Sequence, residues 1–316
     1  MKNKVRRECE KNEAKIFLKE LEDSIVEENI MRFELLLKYG SSRGFLHENA
    51  WFNALISQNN FKMILKTIIL IGTDIKNFNG ATLLHLAASK TNLDAAKLLI
   101  KFGADINEKD NYGMTALHYV FSKLSFHDKI SSELSNDIYK ITCLLLENGA
   151  DAKIRAQTSI GQTPLYYAGY YNLASTAEFL IKSGAEVNTK DADGETPLHR
   201  AAISNSVETA RIIILNGGEI NAIDNAGQTP LHFSVKNGCV EMVELLLNHG
   251  CIRDIKNNDG MKAADMIKLN GSHSKAFRIN ELFKASKAGY EKTAESYYKS
   301  LNSGKIITIS RPATLF

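Results

Sequence analysis

A histidine beside carboxylates is the first place to look for chemistry in this chain. The stretch DGETPLHRAA at 193–202 sets His199 behind Asp193 and Glu195, with Asp191 just upstream. An imidazole next to a carboxylate can act as a general base, and a His/Asp/Glu group can hold a metal ion. The same frame recurs, however, as NGATLLHLAA at 79–88, YGMTALHYVF at 112–121, IGQTPLYYAG at 160–169 and AGQTPLHFSV at 226–235. His85, His118, Tyr166, His199 and His232 therefore share one frame position. A residue written once per segment differs from a cluster gathered once per site.

Catalysis and metal binding need convergence, and this spacing spreads the groups apart. Equivalent positions on packed neighbouring helices lie ~8–10 Å apart, whereas zinc ligands each sit ~2.0–2.1 Å from the ion. Tyr166 in place of histidine also speaks against a catalytic role. The acids Asp191, Asp193 and Glu195 do not form a D-x-[DN]-x-[DN]-G loop, and acids that recur once per segment, Asp110, Asp191 and Asp224, fit the capping of turns. The glycines are dispersed and never form the GxxxxGK[ST] cradle for phosphate. Cys9, Cys143, Cys239 and Cys251 lie far apart without CxxC spacing, and read as reduced, mostly buried thiols. No catalytic residue, metal or cofactor is expected.

The bulk properties agree with an ordinary globular chain: 44% apolar, 24% charged and a net charge of +3, too small for a nucleic-acid-binding face. The first twenty residues are charged throughout and carry no apolar core of a secretory signal. The most apolar stretch, FKMILKTIILIG at 61–72, is interrupted by Lys62 and Lys66, and falls short of the ~20 residues that span a bilayer. A cytoplasmic monomer without nucleic acid or membrane span is the expectation.

The elements that carry the recurring stretch follow from one copy, 191–223. Thr196 is a suitable N-cap and Pro197 suits the first helical position, where its missing N–H costs nothing. Leu198, Ala201 and Ala202 give an apolar face, and Asn205 can take the left-handed conformation that turns the chain back. Residues 207–215, VETARIIIL, read as a second helix closed by Gly217, and EINAIDNAG leads onward as a hairpin. Helices this short cannot bury an apolar side alone, so neighbouring units must stack. The first glycine of each unit stands at 80, 113, 161, 194, 227 and 260, giving separations of 33, 48, 33, 33 and 33. A second glycine closes each unit at 103, 149, 184, 217 and 250.

A 33-residue period carrying T-P-L-H-x-A resembles the ankyrin repeat family across about residues 77–270. The resemblance implies an all-α ankyrin-repeat solenoid of about eight helix-turn-helix units joined by β-hairpin loops, with degenerate terminal caps. It also implies that the TPLH histidine hydrogen-bonds locally and ties the helix start to the hairpin. On this frame residues 1–76 form degenerate N-terminal units, including a helix over 25–40 closed by Gly40 and a unit over 51–74 closed by Gly72. Repeats fill 77–256, a C-terminal cap unit fills 257–285, and 286–316 hold a helix and a tail. The long unit places 13 extra residues between its helices at about 124–136, as a projecting finger.

In the ankyrin family the hairpin tips and the outward face of each first helix line the concave groove that binds partners. Here those places hold Phe78, Tyr112, Met114, Ile160, Tyr170 and Tyr171, where turns are ordinarily polar. The resemblance therefore implies a non-enzymatic scaffold binding an unidentified protein partner through these six residues. The later units, with Ala192, Asp193, Glu195, Asn225, Ala226 and Gln228, are small or polar at the same places. The alternative is a secreted bacterial effector acting on a host protein, with an export signal in the C-terminal tail.

Overall fold

The computed structural model describes residues 16–17, 19–21, 23–25, 27, 29–43, 55–56, 61–122, 124, 130–152, 161–269 and 273–285. The first two helices with stated bounds are α1 (Ile30–Arg43) and α2 (Phe61–Ile71). Helix pairs follow: α3 (Leu83–Ser89) with α4 (Leu93–Lys101), α5 (Ala116–Tyr119) with α6 (Ser132–Glu147), and α7 (Pro164–Tyr170) with α8 (Ala174–Lys182). Next are α9 (Pro197–Ser204) with α10 (Val207–Leu215), α11 (Pro230–Lys236) with α12 (Val240–Asn248), and a 3-10 helix (Ala263–Leu269) with α13 (His273–Ala285). Residues 16–25 and 55–56 are helical wherever they are described. The fold is all-α.

The helices fall into two compact units, Met1–Glu186 and Val187–Phe316. In the first, α3 packs on α4 and α5, while the second helices stack in sequence, α2 on α4, α4 on α6 and α6 on α8. In the second, α9 packs on α10 and α11, α10 on α12, α11 on the 3-10 helix, and α12 on α13. Each unit has its own apolar core, centred on residues such as Phe33, Leu99 and Phe121 in the first and Leu231, Val243 and Leu246 in the second.

Local chemistry explains the helix boundaries. Thr82, Thr115, Thr163, Thr196 and Thr229 hold extended backbone just before a first helix, and proline occupies the first turn of α7, α9 and α11. Second helices start on caps such as Asn92, whose side chain accepts from the Ala95 N–H. The closing glycines at 72, 103, 149, 184, 217 and 250 all have positive φ.

Between paired helices the chain turns through the left-handed region at Asn172, Asn205 and Gly238, residue types that suit it. Thr91 does the same at φ 50, and for a β-branched side chain that conformation is strained. Thr91→Asn is expected to stabilise the protein by about 1 kcal/mol, read as a higher urea midpoint. An unchanged midpoint would mean that the Thr91 hydroxyl bond to the Lys90 carbonyl offsets the strain.

Several boundaries differ from the sequence reading. Gly40 does not close a helix: α1 runs through it to Arg43, since burial of Phe33 and Leu37 holds that face in place. The connecting loops contain no strand among the described residues; a lone bridge between Lys256 and Lys262 is the nearest approach, and the hairpins are built from turns. Within 124–136, residues 125–129 lie outside the described residues, and Ser132 onward is helix. Ser131 caps α6 by accepting from the Leu134 N–H, so part of the extra length becomes helix; α6 has 16 residues against 9 in α4, α8, α10 and α12. Leu124 and Ile130 pack against the first unit's core. After Gly260, KAAD replaces TPLH and the first helix is 3-10 in type, opened by the Lys262 N–H bond to the Asp265 carboxylate. Residues 286–316, read as helix and tail, lie outside the described residues.

Candidate functional site

Among the described residues, the hairpin tips are turns wound around one carboxylate or amide. The Asp191 Oδ1 accepts from the N–H groups of Asp193 at 3.0 Å and Glu195 at 2.8 Å, while Gly194 N–H donates to the Asp191 carbonyl. Asp110 and Asp224 repeat this with Tyr112 and Met114, and with Ala226 and Gln228; Asn77 and Asn257 do so with amide oxygens. The recurring acids are thus turn-formers.

Neighbouring tips are bolted together by asparagine. The Asn111 N–H donates to the Asn79 carbonyl at 2.9 Å and its Nδ2 to the Phe78 carbonyl at 3.0 Å. Asn225 makes the same pair with Asp193 and Ala192, and Asn258 with Ala226 and Asn225. At the opposite end of the units, Asn107 bridges Gly149 and Asp151, and Asn188 bridges Gly217 and Glu219.

The histidines complete this framework. His199 Nε2 lies 3.1 Å from the Gln228 carbonyl of the following repeat, which can only accept, so Nε2 carries the proton and Nδ1 accepts from the Thr196 N–H at 3.1 Å. His85 pairs likewise with Met114 and Thr82, and His232 with Met261 and Thr229. Each is a capping box with histidine in place of Glu or Gln, extended by a bond to the next repeat. Burial holds all three below the ordinary imidazole range, His199 at about 4. Both ring nitrogens are engaged, which leaves neither for a metal or for proton transfer.

The position after the histidine reaches back to the turn. Tyr119 Oη donates to Asp110 Oδ2 at 2.8 Å, and Tyr167 Oη donates to the Gln162 side chain. Arg200 lies 2.6 Å from Glu195 Oε2 and 3.6 Å from Asp191 Oδ2. Burial pushes the Glu195 carboxyl up to about 7, against the pull of Arg200 and with help from Asp191, Asp224 and Asp193. Sequence reasoning passed over Tyr119, Tyr167 and Arg200, although their shared frame position was a usable signal.

The six candidate binding residues separate into groups. Phe78 and Tyr112 stand on adjacent tips and are 63% and 53% exposed. Met114 is half-buried and holds the turn through its backbone. Tyr171 packs on the first unit's core and donates from Oη to the Leu124 carbonyl at 2.7 Å, strapping the root of the insertion, with Tyr170 edge-on against it at 5.1 Å. Ile160 lies outside the described residues.

Comparison with known proteins matches this geometry to a family. A family model described as ankyrin repeats (3 copies) matches residues 52–134, 129–224 and 208–274, most of the chain. The chain belongs to the ankyrin repeat family. An ankyrin repeat protein of Acanthamoeba polyphaga mimivirus is 30% identical over 36% of this chain and 13% of its own length. Human neurogenic locus notch homolog protein 1 is 36% identical over 34% of this chain and 4% of its own. An ankyrin repeat protein of Fowlpox virus is 29% identical over 42% of this chain and 28% of its own. The chain thus matches only a small part of the length of these relatives. A solved ankyrin repeat domain from Acinetobacter baumannii is 25% identical, covers 64% of this chain and 96% of its own, and superposes with a TM-score of 0.54. Ankyrin repeats are protein-interaction modules, and the buried framework here is of that kind. Among the described residues no helix of this ankyrin chain is long and apolar enough to cross a membrane. Its Cys251 thiol is pushed up to about 12 by burial, and Cys239 is raised for the same reason, so neither is a ready nucleophile.

Proposed function

We propose that this ankyrin array is a non-enzymatic scaffold that docks a partner protein on the hairpin tips and first helices of its first compact unit, with Phe78 and Tyr112 as anchors. The observation that carries this reading is the exposure of two large aromatic rings on adjacent tips whose backbones are tied together through Asn111. Large rings at turn tips bring no folding benefit there, and rigidly mounted aromatics are the commonest interface anchors. Tyr119, on the helix that follows the Tyr112 tip, is half-buried, bonds to Asp110 in the hairpin and packs edge-on against His85.

The double variant Phe78→Ala, Tyr112→Ala is expected to melt like the wild type and to weaken binding to the wild type's captured partner by about 2 kcal/mol or more, measured by calorimetry on the purified pair. Tyr171→Phe serves as a contrast. It removes the hydroxyl that donates to the Leu124 carbonyl, and should lower stability by about 1 kcal/mol while leaving binding intact. Normal affinity in the double variant would end the reading.

A further inference from the structure

We propose that Asn79 is a modification site: its side-chain amide closes on the Gly80 nitrogen to a succinimide, water opens the ring to aspartate or isoaspartate, and the isoaspartate product unfastens this hairpin tip from the next. Asparagine is a thermolabile residue, and before glycine the attacking nitrogen has no neighbouring Cβ to shield it. The chain holds Asn-Gly pairs at 79, 148, 216, 237 and 270, the last outside the described residues. In the four described pairs the asparagine is exposed. In all four the glycine N–H donates to a carbonyl, at 2.9 Å for Gly80 and 3.1 Å for Gly149, Gly217 and Gly238, so that barrier is shared.

The amides differ. Asn148 Nδ2 donates to the Leu144 carbonyl at 2.8 Å, Asn216 Nδ2 to Ile212 at 2.8 Å, and Asn237 Nδ2 to Ile203 of the preceding repeat at 3.0 Å. Each must release that carbonyl before its Cγ can swing over the glycine nitrogen. The Asn79 amide is bonded to none of the described residues and turns without that cost.

The chemistry needs only water. The Gly80 nitrogen gives up its proton and attacks Asn79 Cγ; the Cγ–Nδ2 bond breaks, and the leaving nitrogen takes the proton and departs as ammonia. Water then cleaves the ring at one of two bonds. Cleavage between Cγ and the nitrogen leaves aspartate in an unaltered chain. Cleavage between the former carbonyl carbon and the nitrogen leaves isoaspartate, with the main chain routed through Cβ and Cγ.

Only the second product alters the framework. It adds one carbon to the main chain, about 1.5 Å, inside a turn closed by three bonds that span the 79–80 link. Those bonds run from the Asn77 N–H to the Ala81 carbonyl, from the Gly80 N–H to the Asn77 carbonyl, and from the Ala81 N–H to Asn77 Oδ1. The carbonyl that accepts from the Asn111 N–H at 2.9 Å becomes a carboxylate branching off the chain. No slack absorbs the change, since even a Cβ on Gly80 would stand 2.5 Å from Asn111 Oδ1.

The test is ageing of the full chain in mildly alkaline buffer made with heavy-oxygen water, native and in urea, with the rate at each Asn-Gly pair read by peptide mapping. In the native protein Asn79 is expected to react about fivefold or more faster than Asn148, Asn216 and Asn237, a ratio of the size one lost hydrogen bond sets. In urea the four rates should converge, because each asparagine then has the same neighbour and no fold. Native rates that are equal, or a ranking that survives in urea, would overturn the site. Aged wild type should also show a lowered urea midpoint that isoaspartyl methyltransferase repair restores, while Asn79→Asp matches fresh protein and Asn79→Gln resists ageing. An aged wild type whose midpoint tracks that of aged Asn79→Gln would overturn the unfastening of the tip.

Discussion

Gly194→Ala is expected to destabilise the second compact unit by about 3 kcal/mol, and Gly260→Ala by only about 1 kcal/mol. Both glycines have nearly the same left-handed backbone, φ 79 and φ 74, so the cost of placing a Cβ there is common to the pair. They differ in what that Cβ would meet. At Gly194 it would stand 2.6 Å from Asn225 Oδ1 and 2.9 Å from Asn225 N, whereas at Gly260 nothing lies within 4 Å. Asn225 cannot withdraw freely, because its N–H is bonded to the Asp193 carbonyl and its Nδ2 to the Ala192 carbonyl. Relieving the clash breaks one or both of those bonds between hairpins, at about 1 kcal/mol each. Urea unfolding of the two variants measures the difference. Equal losses would show that backbone conformation alone accounts for the glycine and that the asparagine ladder yields at little cost.

That glycine illustrates what the sequence made legible. A residue type recurring every 33 positions marks a backbone requirement, and the threonine caps, the left-handed Asn205 and the closing glycines all follow from local chemistry that a period exposes. The histidine was legible for the same reason: its recurrence separated architecture from catalysis, although the carbonyl it binds belongs to the next repeat and no pattern within one unit points there. Where the period lapses, local signals mislead. Gly40 looks like a helix end, but α1 is held by tertiary burial of Phe33 and Leu37 and continues past it. The extra residues of the long unit have no second copy to compare, so their partial conversion into α6 was hidden. The candidate site suffered most. A frame position tells which way a side chain faces, and it does not tell whether something unique covers it. Tyr171 and Tyr112 looked alike in the sequence; the root of the insertion claims the first and leaves the second to solvent.

Acidification is expected to act on this framework through two opposed groups in one repeat, and Glu195→Gln is expected to unmask the effect. His199 is held at about 4 in the folded state against 6.5 for the ordinary imidazole, so below pH 6.5 the unfolded chain takes up a proton that the native state refuses. Its contribution is complete above 6.5 and disappears as pH falls towards 4, with about 2 kcal/mol lost by pH 5. Lys190 and Arg200 nearby reinforce burial in disfavouring the charged ring. Glu195 runs the other way. Its folded value of about 7 stands above the usual 4.5, so the native state keeps a proton between those values that the unfolded chain releases. That contribution is complete below 4.5 and lost as pH rises through 7, again on the order of 2 kcal/mol across pH 5 to 7.5. The two nearly cancel, and the lowered His85 and His232 set a modest net loss of wild-type stability towards acid. Glutamine at 195 cannot titrate, so the variant should lose roughly 2 kcal/mol more than the wild type between pH 7.5 and pH 5, measured by urea midpoints at each pH. A variant whose midpoint shifts with pH no more than the wild type's would show that Glu195 is ionised throughout, held by its 2.6 Å contact with Arg200, and that the buried histidines alone govern the acid response.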